Sequence, residues 1–289
     1  MSATYRVARA AEIVGVSAST LRAWERRYGM TEVTRTESGY RAYDDAAIRS
    51  FMLMNSLIGE GVSAREAASE VRRRSRGAAA LAPLDEADAG ELAQLAENFD
   101  LARLERLLDL RFTADRFDRV VDRWLLPELV ELGRRWKSGD VSVGGEHMVS
   151  EAVRRRLAAE YDAQVPAGSE FKVVLGLAPR ARHDLGLLAF ATAARRSGIA
   201  TIYLGADVPV ESWRLAAEDC DAVVTAVSRR VDARQFGHAL AAIHGLRPKL
   251  TVAAGGACQE YLPASCVRLG HEIGPAIERL LDRLEDTPR

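Results

Sequence analysis

Hydrophobic and polar positions follow three different patterns along this 289-residue chain. Residues 1–76 contain short amphipathic helices around a glycine turn, and residues 91–166 repeat apolar positions at i, i+3, i+4 and i+7, which predicts four packed helices. In residues 167–289, five short apolar runs alternate with helical stretches, which predicts a doubly wound parallel sheet. Residues 77–90 are rich in small residues and predict a linker. The expected fold is multidomain: a winged helix-turn-helix, a four-helix bundle and a Rossmann-like α/β domain.

Composition and charge narrow the functional classes. No apolar run approaches the roughly 20 residues that span a bilayer, so we expect a cytoplasmic protein without membrane contact. Three cysteines, Cys220, Cys258 and Cys266, have no metal-site spacing. Residues 1–76 hold 13 Arg and no Lys against nine Asp and Glu, a net charge of +4, whereas the rest of the chain has a net charge of −5. A basic head on an acidic body is typical of a nucleic-acid-binding module joined to a sensing module.

The basic head has the plan of a helix-turn-helix. VARAAEIVG (7–15) predicts a helix that Gly15 stops, and Ser17 is a good N-cap for a second helix over 17–29. Such a second helix enters the major groove, and hydroxyls near its N-terminus can meet phosphates. A turn at Gly39 then predicts a wing that presses on the backbone. The candidate DNA-binding residues are Ser17, Thr20, Arg22, Arg26, Arg27, Arg41 and Tyr43.

The string LRAWERRYG…R-x-x-SGYR-x-Y resembles the winged-helix DNA-binding domain of the MerR family of transcription regulators. The resemblance implies that Arg22, Arg41 and Tyr43 touch the phosphate backbone, and that Trp24 and Tyr28 belong to the core. It also implies a double-stranded DNA operator with an inverted repeat, bound by a dimer. Because no heptad run follows the wing, we expect the body of the chain to form the dimer or tetramer.

A strand, a loop and a helix start are predicted over residues 173–186, VVLGLAPRARHDLG. The β-branched apolar run suits a buried parallel strand, and a loop that follows it lies at the carboxyl edge of the sheet, where open α/β folds bind ligands. His183 in this loop is a candidate metal ligand. On spacing alone, a solvated loop histidine is the commoner interpretation.

Several motifs resemble those of the cobalamin-binding domains: His183-x-x-Gly186, the YLG-x-x-x-P loop at 203–209 and a later Gly-Gly pair. The resemblance implies that His183 is the lower axial ligand of cobalt and that the nucleotide tail threads between strands and helices. In the family an acidic residue stands two positions before the histidine and orients it. Here that position is Ala181. The resemblance assigns the tail to Gly186, Thr225, Gly255 and Gly256.

Three residues of the helical middle, Trp136, Glu146 and His147, match the cap of the CarH-type photoreceptors, which are MerR-family repressors that carry adenosylcobalamin. The resemblance implies that Trp136 covers the adenosyl group and that Glu146 and His147 line the same pocket. Light-sensing members have a histidine after the tryptophan. Here it is Lys137, whose ammonium is a poor metal ligand.

These motifs lead to one functional hypothesis and leave alternatives open. The chain is expected to be a ligand- and light-responsive repressor whose oligomerisation and DNA binding are set by adenosylcobalamin, held between the bundle and the Rossmann-like domain. Alternatively, the same architecture holds a bilin or haem, contacted by His183, His147 or Cys258, or it holds no ligand. A cobalamin-dependent enzyme component would need a substrate barrel of roughly 250 residues, for which the chain has no room.

Overall fold

The computed structural model describes residues 4–29, 34–35, 41–79, 90–164 and 168–286. The chain forms two compact units, residues 1–86 with 106–116, and residues 87–105 with 117–289. The domain boundaries expected from sequence therefore stay predictions. Within the described ranges, no helix is both long and apolar enough to cross a bilayer.

The first unit contains the predicted helix-turn-helix. Gly15 takes a left-handed conformation (φ 78°) that ends the first helix, and the Ser17 hydroxyl caps the second by accepting the N–H of Thr20 at 3.0 Å. The wing region forms an antiparallel sheet of order β1-β3-β2. Gly39 lies outside the described residues. The elements are β1 Thr4–Arg6, α1 Val7–Val14, α2 Ala18–Tyr28, β2 Thr34–Arg35, β3 Arg41–Asp44, α3 Asp45–Gly59 and α4 Ala64–Ala79.

Helix α4 continues beyond the end expected from sequence. It runs through Ala79, three residues into the stretch predicted as linker. Arg72 on this helix donates from Nη1 to the carbonyl of Tyr28 at 2.7 Å, which satisfies a carbonyl in the last turn of α2. The core of the unit is built around Leu21, Phe51 and Met54, which are fully buried.

The helical middle contains the four expected helices, and the third of them has an irregular segment. Pro127 cannot donate to a carbonyl four residues earlier, and the backbone widens into a π-helix at Val121–Leu125 just before it. The bounds are α5 Glu91–Glu97, α6 Leu101–Ala114, α7 Phe117–Val120, α8 Leu126–Ser138 after the π-segment, and α9 Val143–Asp162.

The C-terminal region is a five-stranded parallel sheet of order β5-β4-β6-β7-β8, as the sequence predicted. The chain moves outward from β4 to β5 and then returns to β6 on the other side, so the switch point lies at the carboxyl ends of β4 and β6. The elements are β4 Lys172–Gly176, α10 Leu185–Arg196, β5 Ala200–Gly205, α11 Val210–Ala216, β6 Ala222–Ala226, α12 Arg230–Leu246, β7 Thr251–Gly255, β8 Val267–Gly270 and α13 Ile273–Glu285.

One expectation about this region is wrong. A helical stretch was predicted after every strand, but β7 is followed only by a single 3₁₀ turn, Gln259–Tyr261. Pro263 disfavours the helical conformation of the residue before it, and Leu262 is extended (φ −79°, ψ 157°). The chain therefore enters β8 without a crossover helix.

Candidate functional site

His183 lies exposed in the loop between β4 and α10. The loop is fastened to the one after β5, because the N–H of Arg180 donates to the Asp207 carboxylate at 2.6 Å and the N–H of Asp207 donates to the Ala181 carbonyl at 3.0 Å. Arg180 and Asp207 both have positive φ (65° and 55°) without being glycine. Such strain is held only where the surroundings impose it and is common at binding sites. The loop geometry is therefore defined before any ligand arrives.

The carboxylate nearest to His183 in sequence faces elsewhere. Asp184 is buried, and its Oδ2 accepts from Arg154 Nη1 at 2.6 Å and from the Tyr203 hydroxyl at 3.0 Å. Ala181, at the position that is acidic in cobalamin-binding domains, is also buried. Among the described residues, no hydrogen bond joins His183 to a carboxylate. His183 therefore lacks the oriented partner that fixes the tautomer of most metal-binding histidines.

Thr225 is a buried hydroxyl without a partner. It lies on β6, and within the described part of the chain its Oγ1 makes no hydrogen bond. An unsatisfied buried hydroxyl costs about 1–3 kcal/mol. A ligand that offers a nitrogen or oxygen at this position would remove that cost. The residue thus fits the role predicted for it, a contact to the nucleotide base of a cobalamin tail.

The three glycines of the predicted site differ in what surrounds them. A Cβ on Gly256 (φ 97°) would lie 2.7 Å from the Val227 carbonyl oxygen, and one on Gly255 would lie 3.3 Å from the Gly270 oxygen. The chain itself therefore explains why these two positions lack side chains. A Cβ on Gly186 would meet nothing within 4 Å. Gly186 therefore borders open space, and that space is what a bound tail would need.

The predicted cap residues surround the α8–α9 turn. Trp136 is in the last turn of α8 and is 47% exposed, so its indole is accessible to a ligand. Glu146, in the first turn of α9, accepts the Ser150 hydroxyl at 2.6 Å and contacts His147 Nδ1 at 2.8 Å. Lys137 is exposed beside them. Among the described residues, no hydrogen bond or ion pair joins this group to His183, so a pocket shared by both groups stays a prediction.

The candidate DNA-binding residues lie on α2, at its N-cap and on the wing strand β3. The guanidinium groups of Arg22, Arg26 and Arg27 are exposed, and Arg22 Nε donates to the Ala18 carbonyl at 3.0 Å. The ring of Tyr43 is buried, and its hydroxyl donates to Glu25 at 2.7 Å. The hydroxyl proton of Tyr43 is thus directed at a carboxylate, and a phosphate contact of this residue stays a prediction. The side chain of Arg41 lies outside the described residues.

The ion pair between Arg154 and Asp184 was missed by sequence reasoning. The run VRRRL on α9 contains three successive arginines. Only their positions around the helix could have indicated that they face different surroundings. Arg155 is exposed and pairs loosely with Glu105 at 3.5 Å, whereas Arg154 reaches a buried carboxylate. Because its partner is 30 residues away, nothing local in the sequence marks the pair.

Comparison with known proteins identifies the modules. Residues 5–73 match the MerR HTH family regulatory protein family, and residues 89–159 match the B12 binding domain family. The chain is 34% identical to the HTH-type transcriptional repressor CarH of Myxococcus xanthus, over 98% of this chain and 99% of that protein. It is 30% identical to the HTH-type transcriptional repressor CarA of the same organism, over 96% and 95%.

A solved structure shares the fold of about two thirds of the chain. The monomethylamine corrinoid protein of Methanosarcina barkeri superposes with a TM-score of 0.58 at 14% sequence identity, over 67% of this chain and 96% of that one. This likeness shows the architecture alone. The similarity to CarH and CarA, in contrast, spans nearly the whole length of the chain. The chain therefore belongs to the family of MerR-type transcription regulators with a B12-binding domain that includes CarH and CarA.

Proposed function

We propose that this regulator is a repressor whose binding to a double-stranded operator is controlled by a corrinoid, adenosylcobalamin. CarH and CarA, which match it from end to end, are both named repressors. The observation that supports a cobalamin ligand is the buried hydroxyl of Thr225, which has no hydrogen-bond partner among the described residues. It lies at the position where cobalamin-binding domains contact the nucleotide base. A cobalamin-dependent enzyme is excluded by family membership.

Two groups of residues would hold the ligand. His183 offers an exposed imidazole that would bind the cobalt. The exposed indole of Trp136 would cover the upper side, with Glu146 and His147 at the start of α9 beside it. When bound, adenosylcobalamin would supply a cobalt centre and a light-sensitive cobalt–carbon bond. The tail contacts are assigned to Gly186, Thr225, Gly255 and Gly256.

The basic head would read the operator. In helix-turn-helix proteins the second helix lies in the major groove, and α2 carries three exposed arginines for phosphate contact. One head binds weakly, so affinity depends on how many heads an oligomer presents to one DNA molecule. A change of oligomeric state, from tetramer to smaller species, would therefore switch DNA binding without altering the head itself.

Two positions of this chain bear on whether light is the signal. The light-sensing relatives have a histidine where this chain has an exposed lysine, Lys137, and an acidic residue where it has the buried Ala181. The first departure removes an imidazole that could bind cobalt, and the second removes the carboxylate that orients His183. They favour, as a second candidate, the same regulator with a bilin or haem in place of the corrin.

The test is an absorption spectrum of the full-length protein after dark incubation with adenosylcobalamin, and separately with biliverdin or haem, followed by desalting. We expect a stoichiometric corrin spectrum that changes on illumination, and an altered spectrum in the His183→Ala variant. If the protein retained biliverdin or haem but not cobalamin, that pigment would be the ligand and the proposed role as a regulator would stand. Retention of no pigment would contradict ligand control by a tetrapyrrole.

A further inference from the structure

Asp184 connects three elements of the second unit. Its backbone carbonyl accepts the N–H of Leu188 at 2.8 Å and thereby starts α10, while its side chain accepts from Arg154 on α9 and from Tyr203 on β5. The side chain of Asp184 is 4% exposed and that of Arg154 is 36% exposed. The ion pair therefore has a buried carboxylate and a guanidinium that still reaches solvent.

A second attachment lies two helical turns further along α9. The Tyr161 hydroxyl donates to the Thr201 carbonyl at 3.2 Å and accepts from the Thr201 hydroxyl at 3.0 Å. The guanidinium of Arg195 lies 3.5 Å from the centre of the Tyr161 ring and donates to the Tyr161 carbonyl. This attachment does not involve a residue of the His183 loop. The Arg154 attachment does, because Asp184 follows His183 directly.

The carboxylate of Asp184 depends strongly on Arg154. Its second oxygen, Oδ1, is buried and has no hydrogen-bond partner among the described residues. A buried carboxylate that loses its cation is strongly disfavoured, and here no second cation is hydrogen-bonded to it in the described structure. Tyr203 remains a donor throughout, because burial and the Asp184 charge raise the pKa of its hydroxyl. If α9 moved away at Arg154, a turn toward solvent would restore hydration to the Asp184 carboxylate, and this turn would move the loop before it.

We propose that Arg154, Asp184 and Tyr203 form a joint through which helix α9 positions the His183 loop. Arg154 and Asp184 are positioning residues, since neither is assigned to the ligand. Through this joint, a shift of helix α9 moves the loop that holds His183. A shift of His183 in turn moves helix α9. It supplies from a distant helix the restraint that Ala181 cannot give. The part concerning a corrinoid rests on the proposed function.

Hydrogen exchange of the ligand-free, full-length protein tests the joint without any ligand. The variants are Arg154→Leu, Asp184→Asn and the conservative Arg154→Lys, with Arg155→Leu as the matched control for an exposed neighbour. We expect exchange of peptides covering residues 179–187 to rise at least about fivefold in Arg154→Leu, with partial rescue in Arg154→Lys. The double variant Arg154→Leu/Asp184→Asn should exchange no faster than Arg154→Leu, because the two residues act as one unit.

Peptides from β6 and α12 report whether the sheet remains folded and should be unchanged. Faster exchange everywhere, or an effect of Arg154→Leu no larger than that of Arg155→Leu, overturns the joint. A parallel titration with adenosylcobalamin in the dark should show at least about fivefold weaker retention by Arg154→Leu, together with loss of the spectrum of histidine-bound cobalt. Failure of the wild type to retain cobalamin would contradict the proposed function, and the exchange experiment would still decide the joint.

Discussion

The carboxylate of Asp122 accepts the backbone N–H of Ile273 at 2.6 Å, across 151 residues of sequence. It also accepts the N–H of Gly274 at 3.0 Å, so a side chain of the π-segment caps the last helix, α13. Acidic caps at a helix N-terminus are favourable for both hydrogen bonding and the helix dipole. These two bonds fasten the helical region to the α/β domain through residues other than those of the Arg154 joint.

Asp122 predicts an unusual dependence of stability on pH. Burial raises its pKa above the ordinary 3.8, and the neighbouring carboxylates of Glu272 and Asp118 add to this, against the lowering effect of the two N–H bonds. The stability from this group is therefore full below the ordinary pKa and is lost as pH rises through the raised value. In urea denaturation, wild type should lose stability relative to Asp122→Asn between that acidic range and neutral pH. If wild type instead gains stability relative to Asp122→Asn as the pH rises over this range, the raised pKa of Asp122 is contradicted.

Glu128 predicts a large loss of stability on truncation. Its buried carboxylate accepts the N–H groups of Gly90 and Leu92, both at 2.8 Å, and of Glu91 at 3.2 Å, which caps α5 from a distant helix. Glu128→Ala leaves three amides without an acceptor and should cost about 3 kcal/mol in urea denaturation. The exposed Glu105→Ala should stay within about 0.5 kcal/mol of wild type. If the two substitutions lowered the free energy of unfolding equally, the capping bonds of Glu128 would contribute no more than an exposed side chain does.

Thr225 predicts opposite effects on stability and on ligand retention. Thr225→Val removes a buried hydroxyl that has no partner, so the ligand-free protein should become more stable by about 1 kcal/mol. The same substitution should weaken dark retention of adenosylcobalamin about tenfold, because the base contact is lost. Thr225→Ser retains the hydroxyl and should bind as wild type does. Should Thr225→Val bind cobalamin unchanged, the hydroxyl has no part in the site.

Two glycines form a matched pair for the same site. Gly186→Ala adds a methyl into open space on helix α10, so the ligand-free protein should be as stable as wild type or up to about 1 kcal/mol more stable. Gly256→Ala forces a side chain against the Val227 carbonyl at positive φ and should destabilise the ligand-free protein by at least about 1 kcal/mol. Dark cobalamin retention should fall in Gly186→Ala despite its stability. If Gly186→Ala retains cobalamin as well as wild type does, the nucleotide tail does not lie against α10.

Sequence patterns predicted the elements well because their causes are local. Gly15 and Ser17 mark the turn of the head, and the apolar run at 173–177 gives the strand before the His183 loop. The bonds that join elements were not predictable in the same way. Asp122 to Ile273 and Arg154 to Asp184 each connect residues far apart, and a charged residue that pairs in the interior looks in sequence like any exposed one.

The candidate site was predictable only in part. His183 stands in a loop at the carboxyl edge of the sheet, where the pattern put it, and Thr225 lies on the third strand of this domain. The glycine pair had been assigned to ligand space, but contacts with the Val227 and Gly270 carbonyls give Gly255 and Gly256 a reason within the protein. Sequence alone cannot separate these two reasons, because both require the absence of a Cβ.

The central claim is that a corrinoid controls DNA binding. It is tested most directly by the affinity of the full-length protein for an inverted-repeat fragment, selected from random double-stranded DNA and followed by fluorescence anisotropy. Measurements at one salt concentration would compare ligand-free protein, protein loaded in the dark with adenosylcobalamin, and the same sample after illumination. We predict at least about tenfold tighter binding in the dark-loaded sample, lost on illumination. Equal affinity in all three samples would contradict the account.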